Sequence, residues 1–245
     1  MPEGPTLYML KEQTTRFVGQ EIVRASGNLK TLDPARLVGQ RITGLHTWGK
    51  HFLIETPDVI LRVHFLLFGT YRIDEDRDKP PRLSIGVEDG GAMNFYACAI
   101  REIDRATFDA YDFSADVMGA TWDPVKARKK LRAAPDMLAC DALLDQEIFS
   151  GVGNIIKNEV LFRIRVHPLS TMGALPAPKL RALVDEARQY SFDFLGWKKA
   201  FTLKEHWLAH AKKICPRCDI PFCKGKLGTS DRRSFYCERC QKRYT

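Results

Sequence analysis

The spacing of apolar positions changes character twice along the chain. Leu7, Leu10, Phe17 and Val18, with Gly19 just beyond them, predict a helix over residues 6–18. Short strand-like stretches follow at 41–45, 51–54 and 59–65, with Trp48-Gly49-Lys50 as a turn between the first two. Residues 83–87 alternate, Asp89-Gly90-Gly91 breaks the pattern, and 93–100 resumes it, which predicts a hairpin. The first half therefore reads as a small antiparallel β-sandwich carrying an N-terminal helix. Past Met118-Gly119 the period becomes helical, at 125–131, 139–146, 154–163 and 179–195. The last 35 residues lose that period and become rich in Cys, Lys and Arg. The expected class is α+β, with a β-sandwich domain over 1–120, a helical domain over 121–211 and a metal-held appendage over 212–245.

Composition narrows the function classes. The 245 residues are 44% hydrophobic, typical of a globular chain with a real core. No apolar run reaches about 18 residues, so no membrane span is expected. The start lacks a basic stretch followed by an apolar block, so no signal peptide is expected. The net charge is +8, and residues 197–245 hold 13 Lys+Arg against 4 Asp+Glu. That segment carries +9 and the rest of the chain −1, which points to a polyanionic partner at one end; a merely solvated terminus is the alternative.

The seven cysteines are an odd count, suited to a reducing compartment. Cys215-Pro216-Arg217-Cys218, 18 residues, then Cys237-Glu238-Arg239-Cys240 supply four thiolates at the spacing of a tetrahedral zinc site. Four thiolates leave no open position, so the ion is expected to be structural. Cys223 is not needed as a ligand, and Cys98 and Cys140 read as buried thiols. Arg232 precedes the second pair on a strand the metal would stiffen; it would offer a fixed fork to a phosphate, or be an ordinary surface Arg.

Other constellations carry two readings each. Without Met1, Pro2 would present a secondary amine that titrates near ~8, able to attack a carbonyl-like carbon, with the Glu3 carboxylate beside it as a proton shuttle. The plain alternative is a stiffened terminus. Ser150-Gly151-Val152-Gly153-Asn154 would open a helix whose N–H groups and Asn154 amide suit a phosphate, or would be a packing corner. Lys50 sits in a turn, where lysines are usually only solvated. Leu66-Leu67-Phe68-Gly69 follows a strand; exposed, these side chains could wedge between bases, and buried they are core.

Together, and in this order, the Pro2-Glu3-Gly4-Pro5 start, the Gly49-Lys50 turn, Leu144-Asp145-Gln146 through Phe162, and the Arg232 finger ending Cys237-x-x-Cys240-Gln241 resemble the formamidopyrimidine-DNA glycosylase/endonuclease VIII family over nearly the whole chain. The resemblance implies an N-terminal β-sandwich, a helical domain with a helix–two-turn–helix, a four-cysteine zinc finger, and damaged double-stranded DNA bound between the domains. It implies a bifunctional DNA glycosylase/AP lyase of base excision repair. Pro2 would attack C1′ of a flipped nucleotide and Glu3 would help open the sugar ring. Lys50 would assist near the reacting sugar, and Asn154 and Arg232 would grip phosphates. His64, Leu66, Leu67 and Phe68 would contact the DNA. The Schiff base would lead to β- and δ-elimination.

Within the family the segment His64-Phe65-Leu66-Leu67-Phe68-Gly69 looks closer to endonuclease VIII, which ends this DNA-contacting loop in Leu-Tyr-Gly, than to the His-Leu-Gly-Met-Ser-Gly of the formamidopyrimidine branch. Tyr96-Ala97-Cys98-Ala99-Ile100 has neither Arg nor Phe of that branch's opposite-strand wedge, and its glycine-rich capping loop is not evident between Leu195 and Cys215. Oxidised pyrimidines are therefore the expected substrates. The alternatives are an oxidised-purine glycosylase and a non-catalytic damaged-DNA-binding protein on the same fold. A monomer in the cytoplasm of a bacterium-like cell, associated with the nucleoid, completes the expectation.

Overall fold

The structure is a computed structural model that describes residues 2–29 and 32–245. It divides into two compact units, Met1–Tyr111 and Asp112–Thr245.

The first unit holds helix α1 (Gly4–Thr14) and strands β1 (Ile22–Gly27), β2 (Gly44–Trp48), β3 (His51–Glu55), β4 (Ile60–His64), β5 (Thr70–Ile73), β6 (Leu83–Val87), β7 (Ala92–Tyr96) and β8 (Ala99–Ile103), then a short helix α2 (Arg105–Asp109). The strands form two antiparallel four-stranded sheets, β1-β6-β7-β5 and β2-β3-β4-β8. Leu7, Leu10 and Phe17 share one core with Phe52, Ile54 and Val63 of one sheet, Phe65 just past its strand β4, and Ile85, Met93 and Phe95 of the other sheet. The expected sandwich with its N-terminal helix is present.

Several local expectations change. The helix expected over 6–18 starts at Gly4, with Pro5 in its first turn where a missing N–H costs nothing, and tightens to a 3₁₀ turn over Thr15–Phe17. The strand expected at 41–45 runs instead over Gly44–Trp48. The hairpin of β6 and β7 forms, but the run 93–100 is not one strand. It breaks at Ala97, whose φ of 49° is left-handed, and residues 99–103 cross to the other sheet beside β4. One continuous apolar run thus serves both layers.

The second unit holds α3 (Pro124–Arg132), α4 (Ala139–Ala142), α5 (Asn154–Arg163), α6 (Ala177–Lys199) and the antiparallel hairpin of β9 (Cys223–Leu227) and β10 (Arg232–Tyr236). Asp123 caps α3 by accepting from the N–H groups of Val125 and Lys126. The helix expected over 139–146 is a single turn, because residues 143–153 fold into consecutive turns. Eight consecutive residues of α5, Ile155 to Phe162, are buried, including Lys157, Asn158 and Glu159, so this helix is the spine of the unit. Among the described residues no helix is long and apolar enough to cross a membrane.

Candidate active site and nucleic-acid interface

In the first unit, Glu3 is the residue that precedes α1, in extended conformation, and its side chain is 0% exposed; Pro2 beside it is half-buried. The helix packs on β2 and β3. The β2–β3 hairpin closes with Trp48 opposite His51 and only Gly49 and Lys50 between them. Gly49 takes φ 56°, which the first position of such a turn requires and which glycine adopts without strain. Lys50 is therefore half-buried on a tight turn of the sheet that carries α1, not on a loose loop.

Behind that turn lies a histidine pair, of which sequence reasoning singled out only His64, as a DNA contact. His51 on β3 faces His64 on β4, ring centroids 5.6 Å apart. The Tyr111 hydroxyl lies 3.0 Å from His51 Nδ1, and the Trp48 ring packs 4.9 Å from that of Tyr111. Burial, then the positive charges of Arg62, His64 and Lys50, push the His51 imidazole down to about 4, so it is neutral at pH 7. His64 is shifted the same way by burial and by Lys50 and Arg62. The signal available in the sequence was two histidines at cross-strand register, but that register appears only once the hairpin is built.

From His64 the chain enters the segment whose exposure the sequence left open. Phe65 is core, and its carbonyl accepts the Gly69 N–H at 2.7 Å. A Cβ on Gly69 would lie 2.2 Å from that carbonyl oxygen, so only glycine closes the loop. Leu66 takes φ 54°, and Leu66, Leu67 and Phe68 are 53%, 51% and 84% exposed. Three adjacent apolar side chains thus stand in solvent on a loop anchored at both ends. Isolated apolar exposure is ordinary, but three adjacent exposed apolar side chains on an anchored loop make a candidate interaction site.

In the second unit the residues expected to meet phosphates come together on α5 and the hairpin. Gln146 staples the turns before α5: its amide donates to Leu144 O and Val152 O, and its Oε1 accepts from Gly151 N–H at 3.1 Å. Asn154 is the first residue of α5, so the N-terminal N–H groups of the helix lie beside its amide. Its Nδ2 donates to the Arg233 carbonyl at 3.0 Å. Arg232, the first residue of β10, is exposed and one residue away in the chain. Asn154 and Arg232 are therefore neighbours through Arg233, although 78 positions separate them.

Cys215, Cys218, Cys237 and Cys240 bring their sulfurs within 4.8 Å of one another, and the Cys215 and Cys240 sulfurs are 3.8 Å apart. Metal–sulfur bonds of about 2.3 Å at tetrahedral angles give sulfur separations near 3.8 Å, so the four thiols fit such an ion. Cys223 lies on β9 outside the cluster, and Cys98 and Cys140 are buried in the cores. The cluster is tied back to the spine helix: Arg217 donates to Phe162 O and lies 4.1 Å over the Phe162 ring, while Gln241 accepts from Cys237 N–H and donates to Val166 O. At the other end the hairpin tip rests on Asp141, which accepts from Thr229 and Ser230 N–H; a Cβ on Gly228 would strike that carboxylate at 2.4 Å.

Comparison with known proteins agrees with this arrangement. Residues 1–98 match the model of the formamidopyrimidine-DNA glycosylase N-terminal domain and residues 123–190 that of the formamidopyrimidine-DNA glycosylase H2TH domain. The chain is 26% identical to endonuclease 8-like 2 of Bos taurus over an alignment 327 positions long, covering 99% of this chain and 96% of that one. It is 27% identical to the DNA-(apurinic or apyrimidinic site) lyase Nei2 of Mycolicibacterium smegmatis, covering 98% and 99%. A viral DNA glycosylase superposes with a TM-score of 0.82 at 19% identity. Lactococcus lactis formamidopyrimidine-DNA glycosylase, non-covalently bound to DNA with an abasic site, also gives 0.82, at 22% identity; each alignment covers 98% of this chain and 100% of the other. With two models of one family matched in order and full-length likeness to endonuclease 8-like proteins, the chain belongs to the formamidopyrimidine-DNA glycosylase/endonuclease VIII family, in its endonuclease VIII-like branch.

Proposed function

We propose that this protein removes oxidised bases from duplex DNA, pyrimidines foremost, and cuts the strand at the resulting site through a Schiff base on the Pro2 nitrogen. It is a DNA glycosylase with lyase activity at abasic sites. The observation that carries the catalytic assignment is the burial of Glu3. A terminus that is merely stiff would leave its carboxylate in water, yet this one is 0% exposed beside the proline. Burying a carboxylate costs several kcal/mol unless the site uses it or holds it with hydrogen bonds, and active sites are where such costs are met.

With Met1 removed, the Pro2 nitrogen attacks C1′ of the damaged nucleotide and the bond to the base breaks, the base leaving with a proton. Glu3 donates a proton to the sugar ring oxygen as the ring opens, leaving an iminium between Pro2 and C1′. The iminium acidifies the C2′ hydrogens. Loss of one breaks the C3′–O bond, and a second elimination breaks the C5′–O bond. Lys50, on its rigid turn, supplies positive charge close to the reacting sugar.

The target base must leave the helix first, at a cost of a few kcal/mol. Leu66, Leu67 and Phe68 enter the vacated stack, where each apolar side chain removed from water returns about 1.5–3 kcal/mol. His64, Asn154 and Arg232 hold phosphates, and the basic C-terminal segment supplies the long-range attraction. Cys215, Cys218, Cys237 and Cys240 would hold Zn²⁺, which would stiffen the β9–β10 hairpin and, with four thiolates and no open position, take no part in the chemistry; the local surplus would fall only from +9 to about +7.

Borohydride reduction during reaction with an abasic-site duplex should trap a covalent protein–DNA adduct, and Pro2→Gly should abolish it. Absence of an adduct from protein shown by intact mass to lack Met1 would overturn the assignment.

A further inference from the structure

Lys157 has no part in the chemistry above, yet it is 0% exposed in the middle of α5. Its ammonium donates to the Ser234 hydroxyl at 2.9 Å and to the Arg233 carbonyl at 3.2 Å. The same carbonyl accepts from Asn154 Nδ2 at 3.0 Å and Asn158 Nδ2 at 3.2 Å. Residues 154, 157 and 158 fall on one face of a helix by their spacing, so three donors from α5 converge on one oxygen of β10. Asn158 closes the grip by accepting the Phe235 N–H at 3.0 Å through its Oδ1.

We infer that Lys157 is a positioning residue for the phosphate contacts: its buried ammonium locks β10 onto α5 and so fixes Asn154 and Arg232 in one register. The inference rests on the DNA-binding roles proposed for those two residues. A carbonyl oxygen has two lone pairs, so three donors saturate it, and a slip of β10 by one residue would replace it with an oxygen aimed the other way. The Cα of Arg232 is one peptide, about 3.8 Å, from that of Arg233, so a fixed Arg233 backbone fixes the root of the Arg232 side chain. Apolar packing could hold two elements together more cheaply than a buried ammonium; what the ammonium adds is direction. Its field is felt nearby: the neighbouring His210 imidazole is pushed down to about 4, first by burial and then by the Lys157 charge.

The test measures affinity for a duplex with a tetrahydrofuran abasic analogue, which needs no catalysis. Lys157→Met keeps an unbranched apolar stem, one atom shorter, and removes the donor. It should retain zinc and its melting temperature within a few degrees but bind about tenfold more weakly. Arg232→Ala should cost about tenfold in the wild-type background and about twofold in the Lys157→Met background, because an Arg already out of register has little left to lose. A purely structural role would leave the two effects multiplicative. Unchanged affinity of Lys157→Met, or multiplicative effects, overturns the inference. If Lys157→Met loses its zinc, Ser234→Ala, which deletes one acceptor of the same ammonium, takes its place with an expected loss of about threefold and the same non-multiplicative pattern. Wild-type protein that binds the analogue no better than undamaged duplex overturns the proposed function and this inference with it; a wild type that discriminates while Lys157→Met matches it overturns this inference alone.

Discussion

His51 offers a quantitative check on the environment around Lys50. The native imidazole titrates at about 4 because burial and nearby positive charge disfavour its protonated form, whereas an unfolded histidine titrates near 6.5. The folded pKa lies below the unfolded one, so unfolding takes up a proton between these values. The stability His51 contributes is full above about pH 6.5 and falls as the pH drops toward 4. From the two pKa values the loss between pH 7 and pH 5 is about 2 kcal/mol. His210, also at about 4, adds a similar amount by the same route. Urea unfolding at pH 7, 6 and 5 should therefore show wild-type stability falling by about 4 kcal/mol from these two groups. His51→Gln, which still offers the Tyr111 hydroxyl a hydrogen-bond partner, should fall by about 2 kcal/mol less than the wild type, whatever its absolute stability at pH 7. Equal falls in the two proteins would refute the reasoning, since they would mean that His51 is protonated as readily folded as unfolded.

Other substitutions test separate parts of the assignment. Phe68→Ala, at an 84% exposed position, should leave the melting temperature unchanged and lower single-turnover excision from duplex about tenfold, with a much smaller loss on single-stranded substrate. Cys237→Ser should release the metal, seen as loss of stoichiometric zinc by elemental analysis, and weaken binding to damaged duplex while leaving the core of Met1–Tyr111 folded by circular dichroism. Glu159 lies on α5 and accepts the N–H groups of Leu208, Ala209 and His210, and burial raises its pKa despite those bonds. Glu159→Ala orphans three donors and should cost at least about 3 kcal/mol in urea unfolding, with Glu159→Gln recovering part of it.

The candidate site residues were more legible in the sequence than the framework that holds them. The four cysteines announce themselves by their paired spacing, whereas Pro2-Glu3 reads equally as a stiffened terminus and gains weight only from the ordered motifs downstream. The strands β1 and β5 did not show, since their burial is mixed and their alternation weak. The segment 93–100 was legible as apolar but not as divided. A left-handed Ala97 is a choice made by the two sheets on either side, and alanine carries no sign of it. The helix expected through 146 failed for a related reason: Gln146 is a good helix former, but here its side chain satisfies the backbone of the turns that replace the helix.

The candidate phosphate contacts show where the two kinds of information meet. Asn154 and Arg232 could each be picked out as a candidate, one by its place at a helix start and one by its place before a Cys pair. Nothing in the sequence connects them, because the link is a backbone carbonyl, and Arg233 O has no signature of its own. The residues that aim at that oxygen do have one. Asn154, Lys157 and Asn158 put three donors on a single face of a helix whose other positions are mostly apolar, and polar groups on a buried face need acceptors. The pattern therefore predicts that something carrying an acceptor docks on this face of α5. The β9–β10 hairpin is what docks there, and that contact brings the two candidate side chains, Asn154 and Arg232, side by side.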